Sequence, residues 1–525
     1  MSVFSRPPTY RILFVSSEQA PFAKVGGLGE VMFALPRALR ERGHDVRVMI
    51  PRYGTVNPDA FSLVMAHEGL EVPTAPNDAG AQGEQGKRII CNVRRFDETQ
   101  DPRSPVTTYF LENQEYYELR SNVYGYRDDR IRFALLARGC LEFLNTASDW
   151  LPDVIVASDW MTGFLPNMLR TDYRDAPRLA SVVTVFSIHN LAAQGTSRHH
   201  KFLSEMERDD GHGPVPDFFS ERMTHVNPMR RGITYADAIN TVSARYAEEI
   251  TSEAFGEGLD ALLRERRPYL FGILNGIDYE TNDPASDPVL ARNFSARTMA
   301  RRDENKTALQ QRFGLAPNPR AFVMGIVSRL TRQKGFTLLE PVMGAFLKEN
   351  GSAQLVVVGT GDTEIMTYFQ ELERQFPLQV RAHLQFDEAI PHLIFAGADV
   401  ILVPSVFEPS GLTQMEAMRY GAIPVARRVG GLADTIEDYN PETQEGSGFL
   451  FETLDANAFL MALTRAFVNW RHKATWRKLQ RAVMENDFSW LRSAKEYEAL
   501  FHRVRKQHDA KREPVPAALQ GAEAS

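Results

Sequence analysis

Two glutamates at a short spacing carry the strongest chemical signal in this 525-residue chain. Glu408 and Glu416 enclose seven residues in the segment that follows the apolar run Val400 to Val403. A buried strand, a turn and a helix that begins near Gly411 would let both carboxylates line one cleft. Carboxylates accept hydrogen bonds from sugar and ribose hydroxyls, and a carboxylate inside a protein needs such partners. The alternative is that Glu408 compensates the partial positive charge of a helix N-terminus.

Two cationic side chains follow another apolar run, Phe322 to Val327. Arg329 and Lys334 lie five positions apart in the segment SRLTRQKG. The fork of an arginine and the point charge of a lysine can converge on one pyrophosphate. Surface charges at the start of a solvated helix would give the same pattern. The position directly after a strand favours the functional interpretation.

A glycine-rich loop, KVGGLGE, precedes a helical pattern near the start of the sequence. Glycines such as Gly26 and Gly27 let backbone N–H groups approach an anion at a helix N-terminus, and Lys24 adds a positive charge. A flexible turn and a dinucleotide site are the alternatives, although Met32 departs from the G-x-G-x-x-G spacing. A second tight loop, GTGD, contains Gly361, for which a structural and a nucleotide-binding role are equally supported.

No Asp-x-Asp sequence occurs in the chain. Sugar transferases that hold a diphosphate through a metal ion commonly use such a pair. The cations available to a diphosphate here are Lys24, Arg329 and Lys334. We therefore predict a transferase that needs neither a metal ion nor a cofactor.

Short apolar runs separated by helical patterns must position these residues. Besides the two runs given above, the candidates are Arg11 to Val15, Val46 to Ile50, Val106 to Leu111, Asp153 to Ala157, Val182 to Ile188, Ala238 to Val242, Leu355 to Val358 and Ile423 to Ala426. Nearly continuous apolar runs indicate strands buried on both faces, which predicts α/β architecture with parallel sheets. Ligands bind such sheets beyond the carboxyl ends of the strands.

The length of the chain exceeds what one hydrophobic core supports, so two large domains are expected. We predict a first domain over residues 9–265 and a second over residues 266–488, with the boundary near residues 262–272. A helix over residues 489–508 would pack back on the first domain. Residues 509–525, which are rich in Ala, Pro and Glu, are predicted to form a disordered tail.

Composition excludes several classes of protein. The net charge of -7 leaves no basic excess for broad nucleic-acid binding. No apolar run reaches the length of a membrane span, and the first residues show no apolar signal core. Because Cys91 and Cys140 are the only cysteines, disulfides do not organise the fold, and the cytoplasm is the expected compartment.

Several motifs resemble one known family. The segment EPSGLTQMEAMRYGAIPVARRVGGLADTI is similar to the matching stretch of bacterial glycogen synthases and plant starch synthases. Six further segments match the family's pattern, and together the motifs run in the family's order from about residue 10 to residue 500. These segments are KVGGLGEV, SIHNLAAQG, ITYADAINTVSARYAEEI, GILNGID, SRLTRQKG and NDFSW. The resemblance implies a GT-B fold, in which two Rossmann-like, doubly wound parallel-sheet domains face each other across a cleft. It also implies retaining transfer of glucose from ADP-glucose or UDP-glucose to the non-reducing end of an α-1,4-glucan such as glycogen.

The resemblance further assigns roles to individual residues. In the second domain, Arg329 and Lys334 would stabilise the leaving diphosphate, Glu408 would hold glucose hydroxyls and Glu416 the ribose. The other positions implied to contact the nucleotide sugar there are Gly361, Ser410, Gly411, Leu412 and Thr413.

In the first domain, the resemblance places Lys24, Gly26 and Gly27 at the donor diphosphate. Asp128 matches an active-site aspartate of the family, and His189 would line the cleft.

One departure from the family pattern concerns the sugar itself. Ser158 stands where the family usually has a histidine that is thought to contact the 6-hydroxyl of the donor sugar. Losing a transition-state contact of this type costs about 10²–10³ in rate. Smaller departures are Glu30 for Asp, Ser410 for Cys and Ala193 for Tyr. These changes leave two alternatives open: a related GT-B transferase with another acceptor, and a non-catalytic paralogue that binds a glucan or a nucleotide sugar.

Overall fold

A computed structural model describes residues 8–76, 87–97, 106–196, 209–385, 387 and 389–512. The chain divides into two compact units. The first unit comprises Met1–Thr241, Ile250–Ile273 and Ser493–Ser525, and the second comprises Val242–Glu249 and Leu274–Arg492.

The first unit is built on a nine-stranded sheet with the order β3-β4-β5-β2-β1-β6-β7-β8-β9. Its strands are β1 (Arg11–Val15), β2 (Asp45–Pro51), β3 (Val64–Pro73), β4 (Arg88–Phe96), β5 (Thr107–Glu112), β6 (Val154–Ser158), β7 (Val183–Ile188), β8 (Ala238–Thr241) and β9 (Leu270–Gly272). Its longer helices are α1 (Gly27–Glu41), α2 (Asp129–Glu142), α3 (Phe164–Arg170), α4 (Pro228–Tyr235) and, after α5 (Ala244–Glu249) of the second unit, α6 (Asp260–Glu265).

The apolar runs form the parallel part of this sheet. The predicted strand at Arg11–Val15 is confirmed residue for residue, and β6 and β7 are buried at every position. Strands β1, β6 and β7 are parallel neighbours, so their carboxyl ends lie at one edge of the sheet. Any side chains that directly follow these three strands are therefore brought together.

The antiparallel strands β3 and β4 are absent from the predicted runs, although the sequence of residues 76–88 is typical of an exposed loop or hairpin tip; residues 77–86 of that loop lie outside the described residues. They pair with each other and, through β4, with β5 at one end of the sheet. In β3 only Leu70 and Val72 are buried. A strand with a mostly exposed surface carries no continuous apolar run, so the sequence gives little signal for it.

The second unit contains a six-stranded, all-parallel sheet with the order β12-β11-β10-β13-β14-β15. Its strands are β10 (Phe322–Val327), β11 (Ala353–Val358), β12 (Val380–His383), β13 (Val400–Val403), β14 (Ile423–Arg427) and β15 (Phe449–Phe451). Its helices are α7 (Arg302–Arg312), α8 (Met343–Glu349), α9 (Thr363–Gln375), α10 (Ile390–Gly397), α11 (Thr413–Arg419), α12 (Gly430–Thr435), α13 (Ala456–Trp470) and α14 (Lys473–Met484). The predicted strands at β10 and β13 are confirmed, with the bounds expected from the sequence.

The chain passes between the units more often than a single boundary near residues 262–272 predicts. The short segment Val242–Glu249, called the 242–249 segment below, belongs to the second unit, although the chain before and after it belongs to the first. The main passage follows Ile273. Membership of a unit is decided by long-range contacts, which local composition does not record.

The last helix, α15 (Trp490–Arg512), is longer than predicted. Residues from Ser493 onward belong to the first unit, where the Glu498 carboxylate accepts from the Arg42 guanidinium and the Tyr497 hydroxyl accepts from the Asn240 amide. Residues 509–512, predicted to begin a disordered tail, instead continue this helix. The rest of the predicted tail, residues 513–525, lies outside the described residues.

Across the described residues, no helix has the length and apolar character that a membrane crossing requires.

Candidate active site

Glu408 and Lys334 form an ion pair at the carboxyl edge of the second unit's sheet. Glu408 is buried in the loop over residues 404–412, called the Glu408 loop, which joins β13 to α11. Lys334 lies in a short 3₁₀ turn after β10, and β10 and β13 are parallel neighbours. The Lys334 Nζ atom is 2.5 Å from Oε2 of Glu408, and the Ser405 hydroxyl donates to the same oxygen at 2.9 Å. The two residues that the sequence placed in separate motifs therefore form one charged centre.

Backbone contacts hold the Lys334 turn against the Glu408 loop. Val406 N–H donates to the Gln333 carbonyl at 2.8 Å. Gly335 has a φ of 71°, and a Cβ atom on it would lie 2.0 Å from the Pro404 carbonyl oxygen. Only glycine permits this approach. The relative position of Lys334 and Glu408 is consequently fixed by packed backbone as well as by their ion pair.

Arg329 follows β10 directly, as predicted. Its side chain is exposed and makes no ion pair with any residue in the described part of the chain. The neighbouring Leu330 N–H donates to the Thr360 carbonyl at 2.9 Å, which ties this loop to the loop after β11. A Cβ atom on Gly361 would lie 2.3 Å from the Leu330 carbonyl oxygen. The close approach explains why glycine stands at position 361, whether or not a nucleotide contacts it.

The segment that leads into helix α11 contains one buried hydroxyl without a partner among the described residues, that of Ser410. No side chain caps its N-terminus at Leu412, and Thr413 is its first residue. The Ser410 hydroxyl is buried and has no hydrogen-bond partner among the described residues. Gly411 has a φ of 66°, which favours glycine, and Glu416 lies half-buried one turn into the helix.

In the first unit, a buried carboxylate that the sequence did not single out organises the glycine-rich loop. Glu18 follows β1, and its Oε2 accepts from the N–H groups of Val25 at 2.7 Å and Gly26 at 3.0 Å. The Tyr124 hydroxyl donates to Oε1 of Glu18 at 2.6 Å. The Gly26 amide, which we predicted to face an anionic ligand, therefore donates to Glu18. The available signal was an acidic residue directly after a buried strand.

The remaining groups of this loop are more open. Lys24 Nζ is 2.7 Å from Oε1 of Glu30, and both side chains are about half exposed. A Cβ atom on Gly26 or Gly27 would enter open space, with no atom of the surrounding described chain within 4 Å. Packing of the protein does not require glycine at these two positions.

Asp159 is a second organising carboxylate that the sequence analysis did not assign. It follows β6 with a φ of 57° and a ψ of -175°, a strained conformation that is otherwise found almost only in glycine. Its Oδ1 accepts from the N–H groups of His189 at 2.7 Å and Asn190 at 3.2 Å, which fixes the chain after β7. Burial raises the pKa of Asp159 to about 7, although these two hydrogen bonds oppose the shift.

His189 follows β7 at the same edge of the sheet and is kept uncharged. Burial lowers the pKa of its imidazole to about 4. The Nε2 atom is 3.3 Å from the Ser187 hydroxyl. At neutral pH this side chain can offer a hydrogen bond to a substrate but no positive charge.

The two other first-unit positions differ in exposure. Asp128 precedes helix α2, is partly buried and pairs with Arg120 at 2.8 Å. Ser158 is fully buried, and the nearest partner of its hydroxyl is the Met32 sulfur at 4.0 Å. The residue at the family's histidine position thus lies against the core side of helix α1. The described residues contain no cluster of three or more His, Cys, Asp or Glu side chains suited to a metal ion.

Comparisons with known proteins cover nearly the whole chain. The family model of the starch synthase catalytic domain matches residues 11–265, and that of glycosyl transferases group 1 matches residues 308–483. The glycogen synthase of Clostridium perfringens is 39% identical over 498 residues, which span 94% of this chain and 98% of that protein. The glycogen synthase of Anaeromyxobacter sp. is 41% identical over 495 residues, with 93% and 98% coverage.

A solved structure agrees with these sequence matches. The catalytic domain of starch synthase IV from Arabidopsis thaliana, bound to ADP and acarbose, superposes with a TM-score of 0.80 at 33% identity and covers 95% of this chain and 100% of that one. The two parallel-sheet α/β units are accordingly of the GT-B type. The chain is a hexosyltransferase that belongs to the glycogen synthase and starch synthase family.

Proposed function

We propose that this protein transfers glucose, with retention of configuration, from ADP-glucose or UDP-glucose to the non-reducing end of an α-1,4-glucan such as glycogen. The observation that carries the proposal is the Lys334–Glu408 ion pair beside the exposed Arg329 at the carboxyl edge of a parallel sheet. Ligands bind sheets of this kind at that edge. The relatives named glycogen synthase and the Arabidopsis enzyme bound to ADP and acarbose support the choice of substrates.

Lys334 is suited to serve both the sugar and the diphosphate. An ammonium group has three N–H donors, and the contact with Glu408 uses one of them. The others can reach the leaving diphosphate, which gains negative charge as the glycosidic bond breaks. Arg329 would add a bidentate donor to the same anion. Cations held ready for the charge of the transition state contribute directly to rate.

Glu408 would accept hydrogen bonds from glucose hydroxyls, and Glu416 from the ribose. The unpartnered Ser410 hydroxyl and the start of helix α11 at Gly411, Leu412 and Thr413 offer donors to the nucleotide sugar. We assign Gly361 to the same nucleotide-binding edge, because it closes the loop beside Arg329.

In the first unit we assign Lys24 and Gly27 to the diphosphate, together with the open Cα side of Gly26, whose N–H donates to Glu18. The open space at the two glycines would admit a ligand, and the Lys24 ammonium supplies the charge. Asp128 and neutral His189 are proposed to contact the sugars through hydrogen bonds. The scheme needs neither a metal ion nor a cofactor, because Lys24, Arg329 and Lys334 would supply the positive charge that the diphosphate requires.

The compartment we propose is the cytoplasm. Cys91 and Cys140 are both free and buried, and burial raises the pKa of the Cys91 thiol to about 12. Such thiols are protonated and inert, which suits a reducing compartment where disulfides are rare.

The test is the transfer of radiolabelled glucose to glycogen from each donor separately. Incorporation that is released again by an enzyme specific for α-1,4 linkages supports the proposal and identifies the donor. Absence of incorporation from both donors, with tight binding of one of them, contradicts it and favours another acceptor or a binding paralogue. A Ser158→His variant assayed in parallel separates these two, because restored transfer would show that only the missing imidazole had silenced the site.

A further inference from the structure

The backbone of the Glu408 loop also contacts two glycines of helix α12. A Cβ atom on Gly430 would lie 2.0 Å from the Glu408 carbonyl oxygen, and one on Gly431 would lie 1.8 Å from the Ser410 carbonyl oxygen. Gly431 N–H donates to the Glu408 carbonyl at 2.9 Å. The backbone of the Glu408 loop therefore rests directly on the first turn of helix α12.

A carboxylate from the 242–249 segment holds the first turn of helix α12 in position. Glu249 is buried, and its Oε1 and Oε2 atoms accept from the Gly430 N–H at 3.2 and 3.1 Å. Arg245 donates to Oε1 of Glu249 at 3.0 Å, and the Arg245 backbone N–H donates to the Asp434 carboxylate in helix α12 at 2.9 Å. Both ends of helix α12 are thus bonded to this one short segment.

We infer that Glu249 is a positioning residue for the donor site: it fixes Gly430, and through Gly430 and Gly431 it fixes the backbone that carries Glu408 and Ser410. The inference rests on the proposed function, because it gives Glu249 a measurable effect on donor use. Glu249 acts in this scheme through its hydrogen bonds to the Gly430 N–H and is assigned no contact with the substrate. Removing the Glu249 carboxylate would leave the buried Gly430 N–H without this partner, one residue before the Gly431 N–H that donates to the Glu408 carbonyl.

The experiment compares Glu249→Gln and Glu249→Ala with Glu248→Gln as a matched control. Glu248 lies on the same helix, but its side chain is 60% exposed. Three quantities are measured in the full-length protein: hydrogen exchange of a peptide over residues 428–436 without substrate, the Kd values of ADP and UDP, and the KM values of donor and glycogen. The Glu249→Gln variant keeps the size of the side chain, so it remains informative even where Glu249→Ala fails to fold.

We expect Glu249→Gln to speed exchange in this peptide and to raise the donor KM and the Kd of the preferred nucleotide about tenfold, because a charge-assisted hydrogen bond is lost. The KM for glycogen and all values for Glu248→Gln should stay unchanged. Faster exchange with unchanged nucleotide Kd and donor KM would overturn the positioning role, and so would identical behaviour of the two Gln variants. If the unmodified protein transfers glucose from neither donor, the proposed function fails, while exchange and nucleotide Kd still decide the role of Glu249.

Discussion

The glycines at the two sheet edges differ in what requires them. In the second unit, Gly335, Gly430 and Gly431 each lie where a Cβ atom would come within about 2 Å of another backbone carbonyl oxygen. In the first unit, Gly26 and Gly27 face open space. The same residue type therefore serves internal packing around the Glu408 loop and leaves open space at Gly26 and Gly27 of the glycine-rich loop.

This difference indicates how each of the two loops is prepared for a ligand. The Glu408 loop is fixed by close backbone approaches at Gly335, Gly430 and Gly431, so its charged groups would be in place before the proposed donor binds, which lowers the cost of binding. The loop of Lys24 is anchored at Val25 and Gly26 by Glu18 but stays open beyond them. A diphosphate can approach the open part without displacing protein atoms.

The largest effect on turnover is expected at the Lys334–Glu408 ion pair. Lys334→Ala should lower kcat roughly 10²–10³-fold, because the leaving diphosphate loses a cation and Glu408 is left as a buried, unpaired carboxylate. Arg332→Ala is the control: Arg332 lies in the same turn, but its ion pair with Glu364 is exposed. Steady-state kinetics and circular dichroism of both variants provide the test. Equal turnover in the two variants would remove Lys334 from the reaction.

Two variants, Gly335→Ala and Gly27→Ala, test whether packing requires glycine at position 335 but not at position 27. Gly335→Ala should lower the free energy of unfolding by about 3 kcal/mol, through left-handed strain and the clash with the Pro404 carbonyl. Gly27→Ala should change it by less than about 0.5 kcal/mol and instead raise the donor KM about tenfold. Urea unfolding and donor titration measure both quantities. Loss of stability in Gly27→Ala, or normal stability in Gly335→Ala, would contradict the distinction.

A smaller effect is expected in the pH dependence of stability. The folded-state pKa of Asp159 is about 7, above its ordinary value of 3.8, so the protonated form favours folding and stability is lost as pH rises toward 7. The loss between pH 5 and pH 8 amounts to about 2–3 kcal/mol. Asp159→Asn keeps an oxygen for the two N–H groups and should remove this loss. Parallel stability–pH profiles of the variant and the unmodified protein would show that Asp159 does not titrate in this range.

The smallest effect is expected at the open loop's surface pair. Glu30→Gln removes the half-exposed partner of Lys24, and such pairs contribute less than about 1 kcal/mol. The free energy of unfolding should change by less than this amount. The donor KM should fall slightly, because the Lys24 ammonium becomes more available to the diphosphate. Calorimetric titration of ADP and UDP at low and high salt is the measurement. A large rise of Kd in Glu30→Gln would mean that the pair itself shapes the loop.

The sequence predicted the parts of the molecule that local pattern records. Strands β10 and β13 are continuous apolar runs, and the charged motifs directly after them meet because parallel neighbours share an edge. Glu18 and Asp159 escaped assignment because their roles depend on which backbone N–H groups the fold brings to them. The same reason hid the placement of Glu249 in the second unit, since its partner Gly430 lies far along the chain.

The proposed donor site requires that Arg329 and Lys334 hold the diphosphate beside Glu408. A crystal structure of the protein with ADP, and a second one with UDP, would test it most directly. We predict that at least one nucleotide binds with its diphosphate within hydrogen-bond distance of the Lys334 Nζ atom and the Arg329 guanidinium, while the Glu408 loop keeps its present backbone. A diphosphate bound away from both cations, with Lys334 still paired with Glu408, would contradict the assignment of Arg329 and Lys334 to the diphosphate.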